Sequence, residues 1–303
     1  MMSKGDQTLR YLSEEDVDFV NQYDPSNYPP NAVTADVILL TIRSGRLAVL
    51  LVERANSPQS GSWALPGGHL NPKESIHETA LRELADKTGL TAEPAHLEQL
   101  QTYSTPGRDI RDSKMRVTSV AYLAFMPDPG TPRAGSDTRS ARFWAVDDLP
   151  EFNSQLTFEE GPVLAFDHAD MLRDGLERAA SKLEYTTLAT AFVDDQFTIS
   201  DLRRVYEAVW RSGIDAANFS RKVKGTTGFI EPTGVKRATG RAPAGLFPKA
   251  RQLYLNKYCL DGREPEGTLR LYVQQEQAEE RIEACLVEQE PRRRAIYTVK
   301  PLT

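Results

Sequence analysis

The feature that most constrains this 303-residue chain is a spaced set of glycines and charged residues in its first third. After Gly68 the chain carries, at intervals of five, seven, one and one residues, Glu74, Arg82-Glu83-Leu84, Asp86-Lys87 and Gly89-Leu90. Asn71-Pro72-Lys73-Glu74 has the residue types of a helix start, and Gly89 those of a helix end. Glu83 and Lys87 therefore lie one turn apart on the same face of a predicted helix.

This spacing resembles the Nudix box, which in that family reads G-x5-E-x7-R-E-U-x-E-E-x-G-U with U an aliphatic residue. The preceding residues 63–68, WALPGG, fit the same family. The resemblance implies an α/β/α sandwich. It also implies chemistry on a nucleoside diphosphate derivative, in which Mg²⁺ ions on the pyrophosphate are held by converging carboxylates.

The box departs from the family pattern where a pair of glutamates is expected, because this chain has Asp86 and Lys87. An ammonium at that point costs several kcal/mol of repulsion toward a dication about 4 Å away, and it attracts a pyrophosphate. We therefore expect nucleotide binding without efficient hydrolysis. Two alternatives stay open: another loop carboxylate restores the metal site, or Lys87 points to solvent.

The expected site follows from the box and from basic residues at chain ends. Arg108-Asp109 followed by Arg111 resembles the R-D-x-R loop of Nudix-type regulators, and Trp63 is a candidate for stacking on a base. No catalytic residue is assigned, no cofactor is required, and Mg²⁺ is possible but not expected, with Glu83 and Asp86 as vestigial metal ligands. The expected ligand-binding residues are Arg54, Gly67, Gly68, Arg82, Glu83, Lys87 and Arg108.

Charge is distributed unevenly along the chain. The whole sequence has 43 acidic and 37 basic residues, for a net charge of −6. Residues 196–250 hold ten basic and four acidic residues, which leaves 27 basic and 39 acidic residues elsewhere. Such a local excess of positive charge is typical of nucleic-acid binding.

The same basic segment has the order of a winged helix-turn-helix. Helices are predicted over residues 200–210 and 216–224, followed by a hairpin within residues 229–248. In that geometry the second helix enters the major groove and the hairpin contacts phosphates or the minor groove. The expected DNA-contacting residues are Asn218, Ser220, Arg221, Lys222, Lys224, Lys236, Arg237 and Arg241.

Residues 197–210, 218–223 and 228–234 look like the C-terminal domain of the Nudix-related transcriptional regulators of bacteria. Phe166-Asp167-His168 and residues 182–186 fit the same family. The resemblance implies a dimeric repressor of NAD-metabolism or sugar-utilisation genes. Its partners would be a double-stranded DNA operator and ADP-ribose or a related NAD metabolite.

The organisation expected is a Nudix-like domain over residues 1–165, then linker helices, the winged helix and an extension over residues 166–303. Strands are predicted at residues 32–42, 47–52, 97–103, 118–125 and 142–146. Helices are predicted at residues 165–180, 183–192 and 273–286, with a strand at 295–299. The role of residues 254–303 stays open.

The first 30 residues contain no apolar stretch suited to export, and no run of about 18 apolar residues predicts a membrane span. Cys259 and Cys285 lie far apart, which indicates free thiols and a cytoplasmic protein. Two other functions remain open. One is an active Nudix hydrolase of ADP-ribose or another nucleoside diphosphate derivative that dimerises through its C-terminal domain, and the other is a DNA-binding protein with the Nudix domain as scaffold.

Overall fold

The computed structural model describes residues 13–158, 161–226, 229–230 and 232–233, and the backbone of short strands between residues 236 and 300. The first part of the chain contains α1 (Glu14–Gln22), β1 (Asn31–Arg43), β2 (Arg46–Arg54), β3 (Trp63–Ala64), β4 (Gly67–His69), α2 (Ile76–Thr88), β5 (His96–Tyr103), β6 (Arg116–Phe125) and β7 (Thr138–Ala145). The second part contains α3 (His168–Tyr185), a 3₁₀ turn (Leu188–Phe192), β8 (Gln196–Phe197), α4 (Ile199–Trp210) and α5 (Ala216–Gly225).

The strands of the first part form one mixed seven-stranded sheet. Its central strand β1 pairs antiparallel with β2 and parallel with β6 over ten residue pairs. The predicted hairpin between β1 and β2 is confirmed. Its turn residues Ser44 and Gly45 both have positive φ, 50° and 75°, as a tight antiparallel hairpin requires.

Two helices cover the two faces of this sheet because successive residues of β1 point to opposite sides. On one face Val37 and Leu39 pack in a cluster with Ala80 and Leu84 of α2. On the other face Ile38 and Leu40 share a cluster with Met171 and Leu172 of α3. The expected α/β/α sandwich is confirmed, and α3 supplies its second helical layer.

Helix α2 begins at Ile76, and the prediction that Asn71 caps it is wrong. Ser75 is the N-cap: its hydroxyl accepts from the Glu78 amide, and the Glu78 carboxylate accepts from the Ser75 amide. This reciprocal capping box satisfies two helix N–H groups. Asn71 instead starts a turn in which its side-chain amide donates to Glu74, and that turn places Glu74 beside the helix.

The winged helix also begins with a capping box, in which Thr198 caps α4, two residues before the predicted start of the helix at residue 200. Tyr206 of α4 and Phe219 of α5 are buried against each other, with ring centroids 5.4 Å apart. Their cluster is continuous with that of α3 and the sheet. The helix predicted at residues 183–192 is wrong, because α3 ends at Tyr185 and a 3₁₀ turn follows the β-branched pair Thr186-Thr187.

The predicted wing is an antiparallel pair of β9 (Lys236–Arg237) and β10 (Ala244–Gly245). Further short strands are β11 (Phe247–Pro248), β12 (Leu253–Tyr254), β13 (Tyr272–Val273), β14 (Glu283–Val287) and β15 (Ile296–Lys300). The helix predicted at residues 273–286 is wrong at both ends of that range, where the chain is extended, and residues 274–282 lie outside the described residues. The strand predicted at 295–299 is confirmed as β15. Within the described part of the chain no helix is long and apolar enough to cross a bilayer.

Candidate functional site

A polar cavity of about 390 Å³ opens at one end of the sheet, bounded by the box glycines, helix α2 and the start of helix α3. Of the seven residues expected to bind a ligand, the cavity brings together Arg54, Gly67, Gly68, Glu83, Lys87 and Arg108. Arg82 does not line it. Other charged or aromatic residues on its walls, most of them not assigned to the site from the sequence, are Asp36, Asp109, Arg111, Asp137, Phe166 and His168.

The two glycines are required by close packing against carboxylates. A Cβ on Gly67 would lie 2.2 Å from Oδ1 of Asp36 and 2.5 Å from the carbonyl oxygen of Ala35. A Cβ on Gly68 would lie 2.3 Å from the carboxyl carbon of Glu83. Any side chain here would displace the acidic groups on the floor of the cavity.

Lys87 points into the site. Its ammonium pairs with Asp137 and lies 3.7 Å from Oε2 of Glu83, and its side chain is 13% exposed. The alternative that Lys87 points to solvent is therefore wrong. Asp137, in the loop before β7, is a loop carboxylate of the kind that could hold a metal, but it is paired with Lys87.

Arg82 lies behind the cavity and holds the box together. Its guanidinium donates to both oxygens of Glu74, at 2.7 and 3.0 Å, and to Oε1 of Glu83 at 2.6 Å. The hydrogen bonds from Arg82 lower the pKa of Glu74 to about 2. Asp86 is 54% exposed, lies 3.6 Å from Arg82 and does not reach the cavity. Among the described residues, no three His, Cys, Asp or Glu side chains are grouped as metal ligands.

One wall of the cavity is basic and is built around the ring of Phe166, which two arginines contact. The guanidinium carbons of Arg54 and Arg111 lie 4.9 and 5.7 Å from the ring centroid. Arg111 forms an ion pair with Asp109, but Arg54 has no ion-pair partner among the described residues and donates to the carbonyl of Pro58. Burial, together with the neighbouring charge of Arg111, lowers the pKa of Arg54. An anion bound in the cavity would stabilise the buried positive charge of Arg54.

The opposite wall joins the cavity to helix α3. Arg108 donates to both oxygens of Asp167, the residue before the helix, at 2.8 and 2.6 Å. His168 is buried; its Nδ1 accepts from the Leu65 amide and its Nε2 lies 4.0 Å from Asp36. Burial lowers the pKa of His168, although the charge of Asp36 opposes this.

Sequence reasoning left Asp36, Asp137 and His168 out of the site. Asp36 interrupts the otherwise apolar run of β1 and is 7% exposed, and a charged residue inside a core strand is a usable signal of function. His168 and Asp137 come from chain segments far from the box, so no local pattern connects them to it. Trp63, the suggested base-stacking residue, lies outside the cavity and packs edge-on against Trp144 at 5.2 Å.

The second expected surface lies on α5. Phe219 and Val223 are buried, whereas Asn218, Arg221 and Lys224 are exposed at helical spacing. Ser220 and Lys222 are half-buried at the edges of this stripe. Lys236 and Arg237 lie on strand β9 of the wing, and Arg241 falls outside the described residues.

Comparison with known proteins matches both parts of the chain. Residues 30–165 match the NUDIX domain family, and residues 189–248 match the NrtR DNA-binding winged helix domain. The ADPR responsive transcriptional repressor NtrR of Acinetobacter baylyi is 29% identical over 251 residues, or 82% of this chain and 93% of that protein. Shewanella oneidensis NrtR in complex with a 27mer DNA is 30% identical, with a TM-score of 0.60 over 72% of this chain and 93% of that chain.

A hydrolase is also similar to part of the chain. The ADP-ribose pyrophosphatase of Methanocaldococcus jannaschii is 33% identical over 126 residues, which cover 42% of this chain and 64% of that protein. A Nudix fold with a charged cavity, followed by a winged helix packed on the same helical layer, defines the class of two-domain Nudix regulators. The chain belongs to the NrtR family of Nudix-related transcriptional regulators.

Proposed function

We propose that this chain is a bacterial transcriptional repressor that binds operator DNA through α5 and the wing and senses ADP-ribose, or a related NAD metabolite, in the Nudix cavity. One observation carries the proposal: the cavity contains four cationic side chains, and helix α3 runs from its wall to the winged helix. The Acinetobacter relative, named as an ADPR responsive repressor, extends over both parts.

The chemistry of the cavity suits a nucleoside diphosphate. Its volume of about 390 Å³ is within the range of small-molecule sites. Guanidinium groups bind phosphate oxygens through paired N–H donors, and Arg54 has no ion-pair partner among the described residues that would compete for it. Arg54, Arg108 and Lys87 are the proposed phosphate contacts, and we add Arg111 to the proposal because it also lines the cavity.

We infer further that the Nudix domain does not hydrolyse its ligand efficiently. Lys87 occupies the helical position of a metal-binding carboxylate, and its ammonium forms ion pairs with both Glu83 and Asp137. A dication placed among these groups would lie close to an ammonium, and their repulsion costs about 8 kcal/mol at 4 Å in a partly shielded site. The second candidate function, an ADP-ribose hydrolase, is favoured by the similarity to the Methanocaldococcus enzyme and by the presence of Asp137 as a further carboxylate.

Further proposals concern the regulated genes, the cellular location, the oligomeric state and the domain boundary. The regulated genes are those of NAD metabolism or sugar utilisation, and the protein acts in the cytoplasm, where its DNA is. We also propose a homodimer, because a winged helix reads a short half-site and two copies supply the affinity that an operator requires. We keep the domain boundary at residues 165 and 166 as a proposal, with α3 following it in sequence while packing as the second helical layer of the sandwich.

A paired experiment tests the proposed function. The dissociation constant for DNA from upstream of the chain's own gene is measured by mobility shift with and without ADP-ribose, and phosphate release is measured with Mg²⁺ and a coupled phosphatase. We expect ADP-ribose to change the DNA dissociation constant and turnover to be negligible. Turnover comparable to that of ordinary Nudix enzymes would support the hydrolase, and DNA binding that ignores ADP-ribose would leave the Nudix domain as a scaffold.

A further inference from the structure

One ion pair connects the wall of the cavity to helix α3. Both Nε and Nη2 of Arg108 donate to the carboxylate of Asp167, and Nη1 donates to the carbonyl of Val117 at 3.3 Å. The Arg108 side chain is only 5% exposed. Asp167 occupies the Nε–Nη2 edge of the guanidinium, so a phosphate can bind that edge of Arg108 through paired donors only by replacing Asp167.

A second hydrogen-bonding position is open to the Asp167 carboxylate at the N-terminus of α3. Asp167 is the N-cap residue of α3, yet its side chain makes no capping hydrogen bond. An aspartate at this position ordinarily accepts from a backbone N–H of the first helical turn and is further stabilised by the helix dipole. The Asp167 carboxylate therefore has a hydrogen-bonded position with Arg108 and another at the end of its own helix.

The chain around Asp167 couples these two positions to the cavity. Phe166, the preceding residue, has a φ of 53°, which is uncommon for a residue with a side chain, and its ring carries the guanidinium groups of Arg54 and Arg111. A rotation of the Asp167 backbone would move the Phe166 ring. The neighbouring Arg111 pairs with Asp109 inside its own loop, so it offers no comparable link to α3.

The far end of α3 reaches the winged helix. The indole N–H of Trp210 in α4 donates to the carbonyl of Ala180 at 3.3 Å. Ala179 and Leu183 are fully buried in the cluster that contains Leu202 and Val205 of α4. A change at the start of α3 is thus transmitted through packed side chains to the helix that supports α5.

We propose that the Arg108–Asp167 ion pair is the switch of the sensor: a diphosphate ligand takes Arg108, Asp167 moves to cap α3, and α3 shifts against the winged helix. This inference rests on the proposed function and describes how ligand binding in the cavity regulates DNA binding. In this scheme the ion pair opposes ligand binding, because it must break first.

Three variants test the switch, each measured for ADP-ribose binding by calorimetry and for operator binding by mobility shift. Asp167→Asn frees Arg108, so we expect its ADP-ribose dissociation constant to fall about tenfold and its ligand-free DNA affinity to approach that of the liganded wild type. Arg108→Ala frees Asp167 but removes a phosphate contact. It should show the same DNA affinity as Asp167→Asn and weaker ADP-ribose binding.

The matched control is Asp170→Asn, which removes the same charge from the first turn of α3 at a residue that pairs only with Arg173 in the described contacts. It should leave both affinities unchanged. If Asp167→Asn does not fold, Asp167→Ser replaces it, since serine also caps helices. Unchanged or weaker ADP-ribose binding by the Asp167 variant, with a wild type that responds to ADP-ribose, overturns the switch alone. A wild type that does not respond overturns the proposed function and the switch with it.

Discussion

At the scale of the residue, Lys87 is the side chain in which the Nudix cavity departs from the family pattern. Its ammonium lies between Glu83 and Asp137 and pairs with both carboxylates. Replacing it by a carboxylate would place three acidic groups together and recreate a dication site. Our proposal that the domain does not hydrolyse its ligand efficiently therefore rests mainly on this side chain and on the exposure of Asp86 away from the cavity.

We predict that Lys87→Glu lowers the melting temperature in the absence of metal and that Mg²⁺ restores much of the loss, because the new carboxylate repels Glu83 and Asp137 until a cation binds. The wild type and the exposed control Lys73→Glu should show little response to Mg²⁺. Thermal unfolding at 0 and 10 mM MgCl₂ measures the change in melting temperature. A change of about 1 kcal/mol in the free energy of unfolding shifts the melting temperature by a few degrees. A wild type stabilised by Mg²⁺ as strongly as the variant would contradict our interpretation of Lys87.

The contacts of Glu98 predict that the stability of the fold depends on pH. The Glu98 carboxylate on β5 is approached by Lys182 and Arg178 of α3, at 2.8 and 3.5 Å, and by His96. Burial alone would raise the pKa of Glu98, but the close approach of His96 and the hydrogen bond from Lys182 outweigh it and lower the pKa to about 2. The stability that Glu98 adds is therefore present above its unfolded pKa of about 4.5 and is lost as the pH falls toward 2.

We expect Glu98→Gln to reduce the free energy of unfolding at pH 7, by up to about 3 kcal/mol, and by much less at pH 3. Urea unfolding at the two pH values measures the difference. Glu93→Gln is the matched control, because Glu93 is exposed. An equal loss at both pH values would show that packing, rather than the charge of Glu98, causes the effect.

At the scale of the element, α5 presents a polar stripe on a helix held by two buried residues. Asn218 and Arg221 are exposed and hydrogen-bonded to each other, while Phe219 and Val223 anchor the helix to α4. The stripe can therefore face a groove without weakening the fold. Substitutions on the stripe should affect DNA binding and leave thermal stability nearly unchanged.

We predict that Arg221→Ala and Lys224→Ala each weaken operator binding and reduce the slope of log K against log salt by about 1. Arg133→Ala, an exposed change of the same kind on the Nudix domain, should alter neither quantity. The measurement is a series of binding curves from low to moderate salt. Unchanged salt slopes for both variants would mean that α5 is not the DNA-contacting helix.

Most elements could be predicted from local patterns, and the failures have physical causes. The strand runs of β1, β2 and β6 and the helices α4 and α5 follow from apolar periodicity and capping residues. The start of α2 was placed wrongly because two capping patterns overlap and only one makes reciprocal hydrogen bonds. Site residues on distant segments, such as Asp36 and His168, come together only through the sheet topology, which no local pattern contains.

At the scale of the whole molecule, the two domains share one hydrophobic cluster that extends from β1 through α3 to α5. A ligand changes DNA affinity only if it binds two states of the protein with different affinities. Because the two domains share one core, a change of state in one domain also alters the packing of the other. Helix α1, by contrast, buries none of its residues and exposes Val17, Phe19 and Val20. Exposed apolar residues grouped in this way are typical of interaction surfaces.

We predict that α1 contributes to the dimer. Val20→Asp should raise the dimer dissociation constant by at least about tenfold, because it places a charge in the centre of the apolar face. Gln22→Asp, which adds the same charge on the opposite side of the helix, should not. Sedimentation or light scattering over a range of concentrations measures the effect. Equal dissociation constants for the two variants would exclude α1 from the interface.

The central claim is that the cavity and the DNA-binding surface are energetically coupled. Linkage requires the coupling to be reciprocal, so the most direct measurement is the ADP-ribose dissociation constant of the free protein and of its operator complex, obtained by calorimetry in the same buffer. We predict that the two values differ by at least about fivefold, and by the same factor with which ADP-ribose changes DNA affinity. Equal values in the presence and absence of operator DNA would contradict the account.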